Sequence, residues 1–486
     1  MSIFKIFQFQ SLSLAALILL TSACNKKTSD GVIPPKPQKP EPVKTDVTFY
    51  LTTPDRSSSL TKQNTSLLFS TNSNQNPSIE INESKTFQTM EGFGYTLTGG
   101  SATLINSLGS TARDALLREL FLSDSTHIGV SYLRISVGAS DLSAVPFTYD
   151  DMSAGQTDLT LKNFTIDRER ADLIPVLKQI IALNPDIKIM GSPWTAPTWM
   201  KTNNSFVGGK LKPEYYGVYA KYLVKYIQAM KEEGIIIDAL TPQNEPLHDG
   251  NNPSMLMLAS EQADFIKNHL GPAFEAANIT TKIIIYDHNA DKPEYPISIM
   301  NDPEAKKYIA GSAFHLYGGD ITALSAVHNA HPDKGLYFTE QWVGGPGDFA
   351  GDLKWHVQNL IIGAPRNWSR NVLEWNLAAD QNYRPHTNGG CTTCLGAITI
   401  ANNVVTRNVA YYIIGHASKF VRPGSVRIES NNLASLQNVA FKAPDGKKVL
   451  IVLNAGNTSQ TFNIKSNGKS VSTTLANGAV GTYVWQ

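Results

Sequence analysis

Two glutamates carry the sharpest chemical signal in this sequence: Glu245 in TPQNEP and Glu340 in YFTEQW, each close behind a short apolar run. Two carboxyls held about 5 to 5.5 Å apart can split a glycosidic bond with retention, one attacking the anomeric carbon and the other protonating the departing oxygen. The attacking group must stay ionised and the donor must keep its proton near neutral pH, a separation that burial and mutual repulsion can produce. A glutamate after a strand is ordinarily a solvated loop residue or a helix cap. Two of them in matching settings, one flanked by asparagine and proline, favour the chemical role. Other residues recur at the same kind of position: Arg134 and Asp141, Trp194, Asn244, His315 and Tyr317, and Trp375. Arg134 also fits a plain interior ion pair, His315 a hydrogen-bonded core histidine, and the two tryptophans ordinary core packing.

Such residues work together only if the fold brings the ends of their elements to one place. From about residue 89 to 420, short apolar runs alternate with amphipathic helical runs, the pattern of a parallel sheet wrapped by helices. The runs are GFGYTLT, SYLRISV, IKIMGS, IDALTPQ, KIIIYDH, GSAFHLY, GLYFTEQ and NVLEWNL. Between them, Pro213 to Gly234 is the clearest helix, with proline near its start, apolar residues three and four apart, and a glycine stop. Eight alternations predict an α/β fold of the (β/α)8 TIM-barrel type, whose working residues sit at the C-terminal strand ends. There the fourth and seventh strands, bearing Glu245 and Glu340, face each other across the axis. A doubly wound sheet is the alternative, but no GxGxxG or GxxxxGK turn is present to support it.

The barrel segment is flanked by β-like pieces, residues 47–88 and 421–486. The second contains alternating runs such as KVLIVLNA and TFNIKS and the turn pairs Asp445-Gly446 and Asn467-Gly468. Neither piece is strand-rich enough to stand alone, so the two are expected to pair into one β-sandwich packed on the barrel. Before them, Leu12 to Leu20 is apolar but too short for a stable span and ends at Ser22, Ala23 and Cys24. That reads as an export leader over residues 1–24 resembling a lipoprotein signal, with Cys24 as the lipidated residue. Residues 25–46 are rich in proline and lysine and form an expected tether. Lys and Arg number 42 against 41 Asp and Glu, so the basic footprint of a nucleic-acid binder or of a protein held on an anionic membrane is missing. The partner expected is a neutral molecule, with the membrane reached only through the lipid anchor.

Taken in order, EGFGYTLTGG, YLRISVGASDLS, GSPWTAPTWMKTN, TPQNEP, FHLYGG, YFTEQW, VLEWNLAAD and IGHASKFVRPGS make the chain resemble glycoside hydrolase family 30 over most of residues 47–486. That group contains lysosomal-type glucosylceramidases and microbial β-1,6-glucanases. The resemblance implies a barrel with an attached sandwich, net retention, Glu245 as acid/base and Glu340 as nucleophile. It places Arg134 and Tyr317 as donors to the nucleophile, Asn244 at the sugar 2-hydroxyl, Asp141 and Trp194 at the outer hydroxyls, Trp375 beneath the ring and His315 beside the same pocket. No cofactor or metal is implied. Trp342, two residues past Glu340, and the loop NYRPHTNGGCTTCLG lie where a second sugar or leaving group would sit, and they look more like the β-1,6-glucanase branch. Cys391 and Cys394 lack further ligands for a closed zinc site, which leaves a small loop disulfide ahead of free thiols. Three functions stay open at this point: an endo-β-1,6-glucanase acting on β-glucan, an exo-acting β-glucosidase of glucosylceramidase type, and a carbohydrate-binding lipoprotein without catalysis.

Overall fold

The computed structural model describes residues 43–486, so the expected leader, Cys24 and most of the expected tether lie outside it. Every one of the eight apolar runs supplies a strand of one closed parallel barrel, in sequential order around the ring: Gly92–Thr96, Tyr132–Ser136, Lys188–Ser192, Ala239–Leu240, Lys282–Ala290, Ile309–Gly319, Gly335–Glu340 and Ser369–Asn376. Side chains alternate along each strand, and both sets are buried. Tyr132, Met190, Ala239, Ile284, Ala313, Tyr337 and Leu373 fill the barrel interior, whereas their neighbours Leu133, Ile189, Leu240, Ile285 and Phe338 belong to the larger core shared with the helices. The sixth and seventh strands approach so closely that a Cβ at Gly311 would lie 2.2 Å from the Gly335 carbonyl oxygen.

Pro213 opens a single 3₁₀ turn that continues as an α-helix over Tyr216–Glu232, and the chain leaves it through Gly234 at φ +80°. Its buried face, Tyr219, Tyr222, Leu223, Tyr226 and Met230, follows the predicted spacing of three and four. The fourth barrel strand is shorter than its sequence suggests. Beyond Leu240 the ladder gives way to single reaches, Asn244 N–H to the Pro193 carbonyl at 2.8 Å and Glu245 N–H to the Asp287 carbonyl at 3.0 Å.

The flanking pieces form one nine-stranded sheet. Thr48–Thr52 pairs with Val480–Trp485, and Ser78–Thr89 pairs with both Val426–Ser430 and Gln460–Ser466, so the domain is built from both ends of the chain. Alternation again sorts the side chains. In Lys448–Asn454, Leu450 and Val452 enter the core of the sandwich, while Val449, Ile451 and Leu453 join the barrel's core. That double burial explains why Val449–Leu453, expected to alternate, is apolar at every position. Buried His416 fastens the two layers, its ring nitrogens lying 2.8 Å from Thr482 Oγ1 and 2.7 Å from Thr52 Oγ1. After the eighth strand a small three-stranded sheet (Ala378–Ala379, Ile398–Ala401 and Val404–Arg407) props the loop that carries Cys391 and Cys394.

Candidate active site

At the C-terminal mouth of the barrel lies a cavity of about 300 Å³ lined by Asp141, Trp194, Asn244, Glu245, Tyr317 and Glu340, with Trp342, Trp375 and the loop from Gly389 to Cys394 completing its rim. A carboxylate oxygen of Glu245 and one of Glu340 lie within 4.8 Å of each other. That spacing fits a retaining pair, about 5 to 5.5 Å apart, better than an inverting pair, about 6.5 to 9.5 Å apart.

Glu340 ends the seventh strand with fixed donors on both oxygens: Arg134 Nη1–H donates to Oε2 at 2.6 Å and the Tyr317 hydroxyl donates to Oε1 at 3.0 Å. Arg134 is wholly buried, and its remaining donors go to Asn244 Oδ1 at 2.5 Å, Asp287 Oδ2 at 2.8 Å and Ser192 Oγ at 3.0 Å. With its Oδ1 taken by the guanidinium, Asn244 presents its amide NH₂ to the cavity. Arg134 also lies over the Trp194 ring at 4.7 Å, so the cation that charges the site also braces its aromatic wall.

Glu245 sits at φ +44°, a conformation rare for a residue with a side chain and characteristic of strained functional positions. Across the cavity floor His315 bridges two acids, Nδ1 lying 3.0 Å from Glu245 Oε1 and Nε2 3.2 Å from Asp287 Oδ1. Burial alone would lower the His315 pKa, but the charges of Glu340, Asp287 and Glu245 overcome it and lift it to about 9. At neutral pH both ring nitrogens therefore donate. Because this value lies above the ordinary 6.5, the charged ring stabilises the fold fully below about 6.5, and that contribution fades as pH climbs through about 9.

The two glutamates respond differently to this setting. Burial pushes Glu245 up, yet the His315 hydrogen bond and charge more than offset it, so its pKa falls below the ordinary range. Burial pushes Glu340 up as well, and the repulsion of Glu245 and Asp287 keeps it raised against the attraction of His315 and Arg134. This resting order is opposite to the one a Glu245 acid and a Glu340 nucleophile need. The partners of the two carboxylates differ in kind. Arg134 does not titrate at working pH, so Glu340 keeps a permanent cation at 2.6 Å. Glu245 instead faces a titratable partner, His315, across one 3.0 Å hydrogen bond.

Residues 90–421 match the glycosyl hydrolase family 30 TIM-barrel domain and residues 424–483 match that family's beta sandwich domain. The chain belongs to glycosyl hydrolase family 30. Within the family, the endo-1,6-β-D-glucanase neg1 of Aspergillus fumigatus is 34% identical over 425 residues, 82% of this chain and 85% of its own. The lysosomal acid glucosylceramidase of Mus musculus is 28% identical over 443 residues, 84% of this chain and 83% of its own. Among solved structures, the endo-β1,6-glucanase BT3312 superposes with a TM-score of 0.85 at 37% identity, covering 91% of this chain and 99% of that one.

Of the residues singled out in the sequence, the family 30 site gathers all those at strand ends, in two tiers. Asp141, Trp194, Asn244, Glu245, Tyr317, Glu340, Trp342 and Trp375 line the cavity, and Cys391 and Cys394, joined by a disulfide, lie on its rim. Arg134, expected as a donor to Glu340, makes that contact from a fully buried position, and His315, expected beside the pocket, is fully buried behind the carboxylates and contacts Glu245 and Asp287. Asp287 was not foreseen. A bulge between Tyr286 and His288, with both Tyr286 and Asp287 at positive φ, turns its side chain into the barrel mouth, where Arg134, His315, Thr339 and Thr241 all bond to it. Burial would raise its pKa, but Arg134 and then His315 hold it far below the usual carboxylate range. Removing the cation should therefore damage the fold as well as the chemistry. Arg134→Met leaves Asp287 and Glu340 buried without their counter-charge, and urea unfolding should show a loss of about 3 to 5 kcal/mol. A loss below about 1 kcal/mol would show that the network is not held together by this residue.

Proposed function

We propose that this family 30 enzyme is an endo-acting β-1,6-glucanase that cleaves with net retention. The observation that carries the mechanism is the pairing of Glu245 and Glu340 within 4.8 Å, one backed by a titratable imidazolium and the other by a fixed guanidinium. In the first half-reaction a Glu340 oxygen bonds to the anomeric carbon as the glycosidic C–O bond breaks, and Glu245 passes its proton to the departing oxygen. In the second, Glu245 takes a proton from water, whose oxygen displaces Glu340 and restores the anomeric configuration. His315 supplies the proton that Glu245 needs. Asn244 holds the sugar 2-hydroxyl, where contacts tighten as the oxocarbenium-like state develops.

The choice of β-1,6-glucan rests on similarity to the glucanases and on Trp342, whose half-buried ring beside Glu340 offers a platform for a second sugar. The alternative, an exo-acting glucosidase of glucosylceramidase type, draws on the likeness to the mouse enzyme. Pustulan separates them. Early release of gentio-oligosaccharides is the expected result, and release of glucose alone, or activity confined to glucosylceramide and aryl β-glucosides, would replace the leading function with its rival.

Export and lipidation at Cys24 complete the proposal, supported by the apolar run from Leu12 to Leu20 and the small residues before the cysteine. A fatty-acyl label should appear on Cys24; a mature chain that begins elsewhere without lipid removes the anchor.

A further inference from the structure

One loop after the eighth barrel strand ties together three of the loops that form the cavity mouth. Thr387 N–H donates to the Asp141 carbonyl at 2.8 Å, and the Thr387 hydroxyl donates to the Asn252 carbonyl in the loop that follows Glu245. On the far side, Gly345 N–H donates to the Thr393 carbonyl at 2.7 Å, and Cys394–Leu395 pairs antiparallel with Val343–Gly344, just beyond Trp342. The Cys391–Cys394 disulfide closes the loop between these anchors and packs in an apolar cluster with Leu142, Trp194, Trp342 and Trp375.

The loop ends its reach on one functional group. Cys391 N–H donates to Asp141 Oδ2 at 3.1 Å and is the sole protein hydrogen bond to that carboxylate among the described residues. Asp141 is 5% exposed and lines the cavity, so its other oxygen is free to accept from a bound hydroxyl. Burial and the nearby Glu340 charge push its pKa up to about 7, and the Cys391 N–H opposes them. Gly390 lies so near that a Cβ there would stand 2.4 Å from the Asp141 carbonyl oxygen, which leaves this stretch little room to shift. Glu245 and Glu340 take nothing from the loop; their partners are His315, Arg134 and Tyr317.

We propose that the Cys391–Cys394 disulfide is a positioning element for sugar binding: it holds the Cys391 N–H on Asp141 and thereby fixes the carboxylate that accepts from the outer hydroxyls of the glucosyl unit. The inference rests on the glucosidic reading of the cavity given above. It predicts that opening the bond weakens sugar binding and leaves the bond-breaking pair in place.

The test compares the oxidised enzyme with enzyme reduced by excess dithiothreitol, in which the S–S bond accepts two electrons and two protons to give two thiols while the reagent closes to its cyclic disulfide. A Cys391→Ala/Cys394→Ala variant repeats the comparison without reductant, and thermal melts identify the folded samples. Calorimetry with 1-deoxynojirimycin and kinetics on an aryl β-glucoside are the readouts. Kd and KM should rise about tenfold, the scale of one hydrogen bond to a charged group, with kcat changed less than about threefold. In an Asp141→Ala background, opening the bond should add nothing further, because both changes act through one group. An unchanged Kd, an equal tenfold rise in the Asp141→Ala background, or an oxidised enzyme that does not bind the iminosugar would each overturn the inference. An oxidised enzyme that binds the iminosugar but releases nothing from pustulan instead rejects the glucanase reading, and the Kd comparison still decides the role of the disulfide.

Discussion

Glu340→Gln is expected to lower kcat on β-1,6-glucan by about a millionfold, the scale at which an enzyme loses its covalent nucleophile. The amide fills the same space, its oxygen still accepts from Arg134 and its NH₂ can donate to the Tyr317 hydroxyl oxygen, so the loss falls on attack at the anomeric carbon and not on the fold. The smaller Glu340→Ala opens room for an external anion. With azide and an activated β-glucosyl donor it should yield the α-glucosyl azide, since the anion enters from the face that Glu340 occupied. Activity of Glu340→Gln within a hundredfold of the parent would show that another group attacks.

Glu245→Gln should lower kcat on the glucan by about a thousandfold, within the range assigned to a positioned general acid. The loss should be smaller on a dinitrophenyl β-glucoside, whose leaving group departs without a proton. There the second half-reaction becomes limiting, and a burst with a lowered KM is expected. Azide rescue of Glu245→Ala should give the β-glucosyl azide, the opposite anomer from the nucleophile variant. The pH profile follows from the proton that His315 and Glu245 share. His315 is raised to about 9, so the pair keeps its proton below that value and kcat should fall as pH rises through it. In His315→Gln, Glu245 must hold the proton unaided, and the basic limb should move to lower pH. An unmoved limb would show that His315 takes no part in proton supply.

The barrel was legible in the sequence because each strand is buried on both faces and therefore reads as a short, mostly apolar run between helical stretches. Within the sandwich, Val449–Leu453 is apolar at every position because one face meets the sandwich core and the other the barrel. Glu245 and Glu340 stood out because two glutamates follow apolar runs in matching settings, on the fourth and seventh strands that face each other across the barrel. Asp287 did not, although KIIIYDH ends in a buried acid in the same manner. Its importance depends on a bulge and on φ values that no spacing rule encodes, and on a cation supplied from a strand more than a hundred residues earlier. Arg134 was placed against the nucleophile, where it lies, whereas His315 was found by position but its depth was not. Strand-end residues can point at the substrate or at the groups that touch it, and only the packed barrel distinguishes the two. The small sheet after the eighth strand escaped notice because Ala378–Ala379 and Ile398–Ala401 are too short and too far apart in sequence to show a period.

Trapping with a 2-deoxy-2-fluoro-β-glucoside bearing a dinitrophenyl leaving group addresses the double displacement most directly, because the fluorine slows the second half-reaction and lets the glycosyl-enzyme accumulate. Peptide mapping should find one fluoroglucosyl group, on the carboxylate of Glu340, with Glu245 unmodified. A label on any other side chain, or rapid hydrolysis to the inverted sugar with no adduct at all, would contradict a covalent intermediate at the mouth of this barrel.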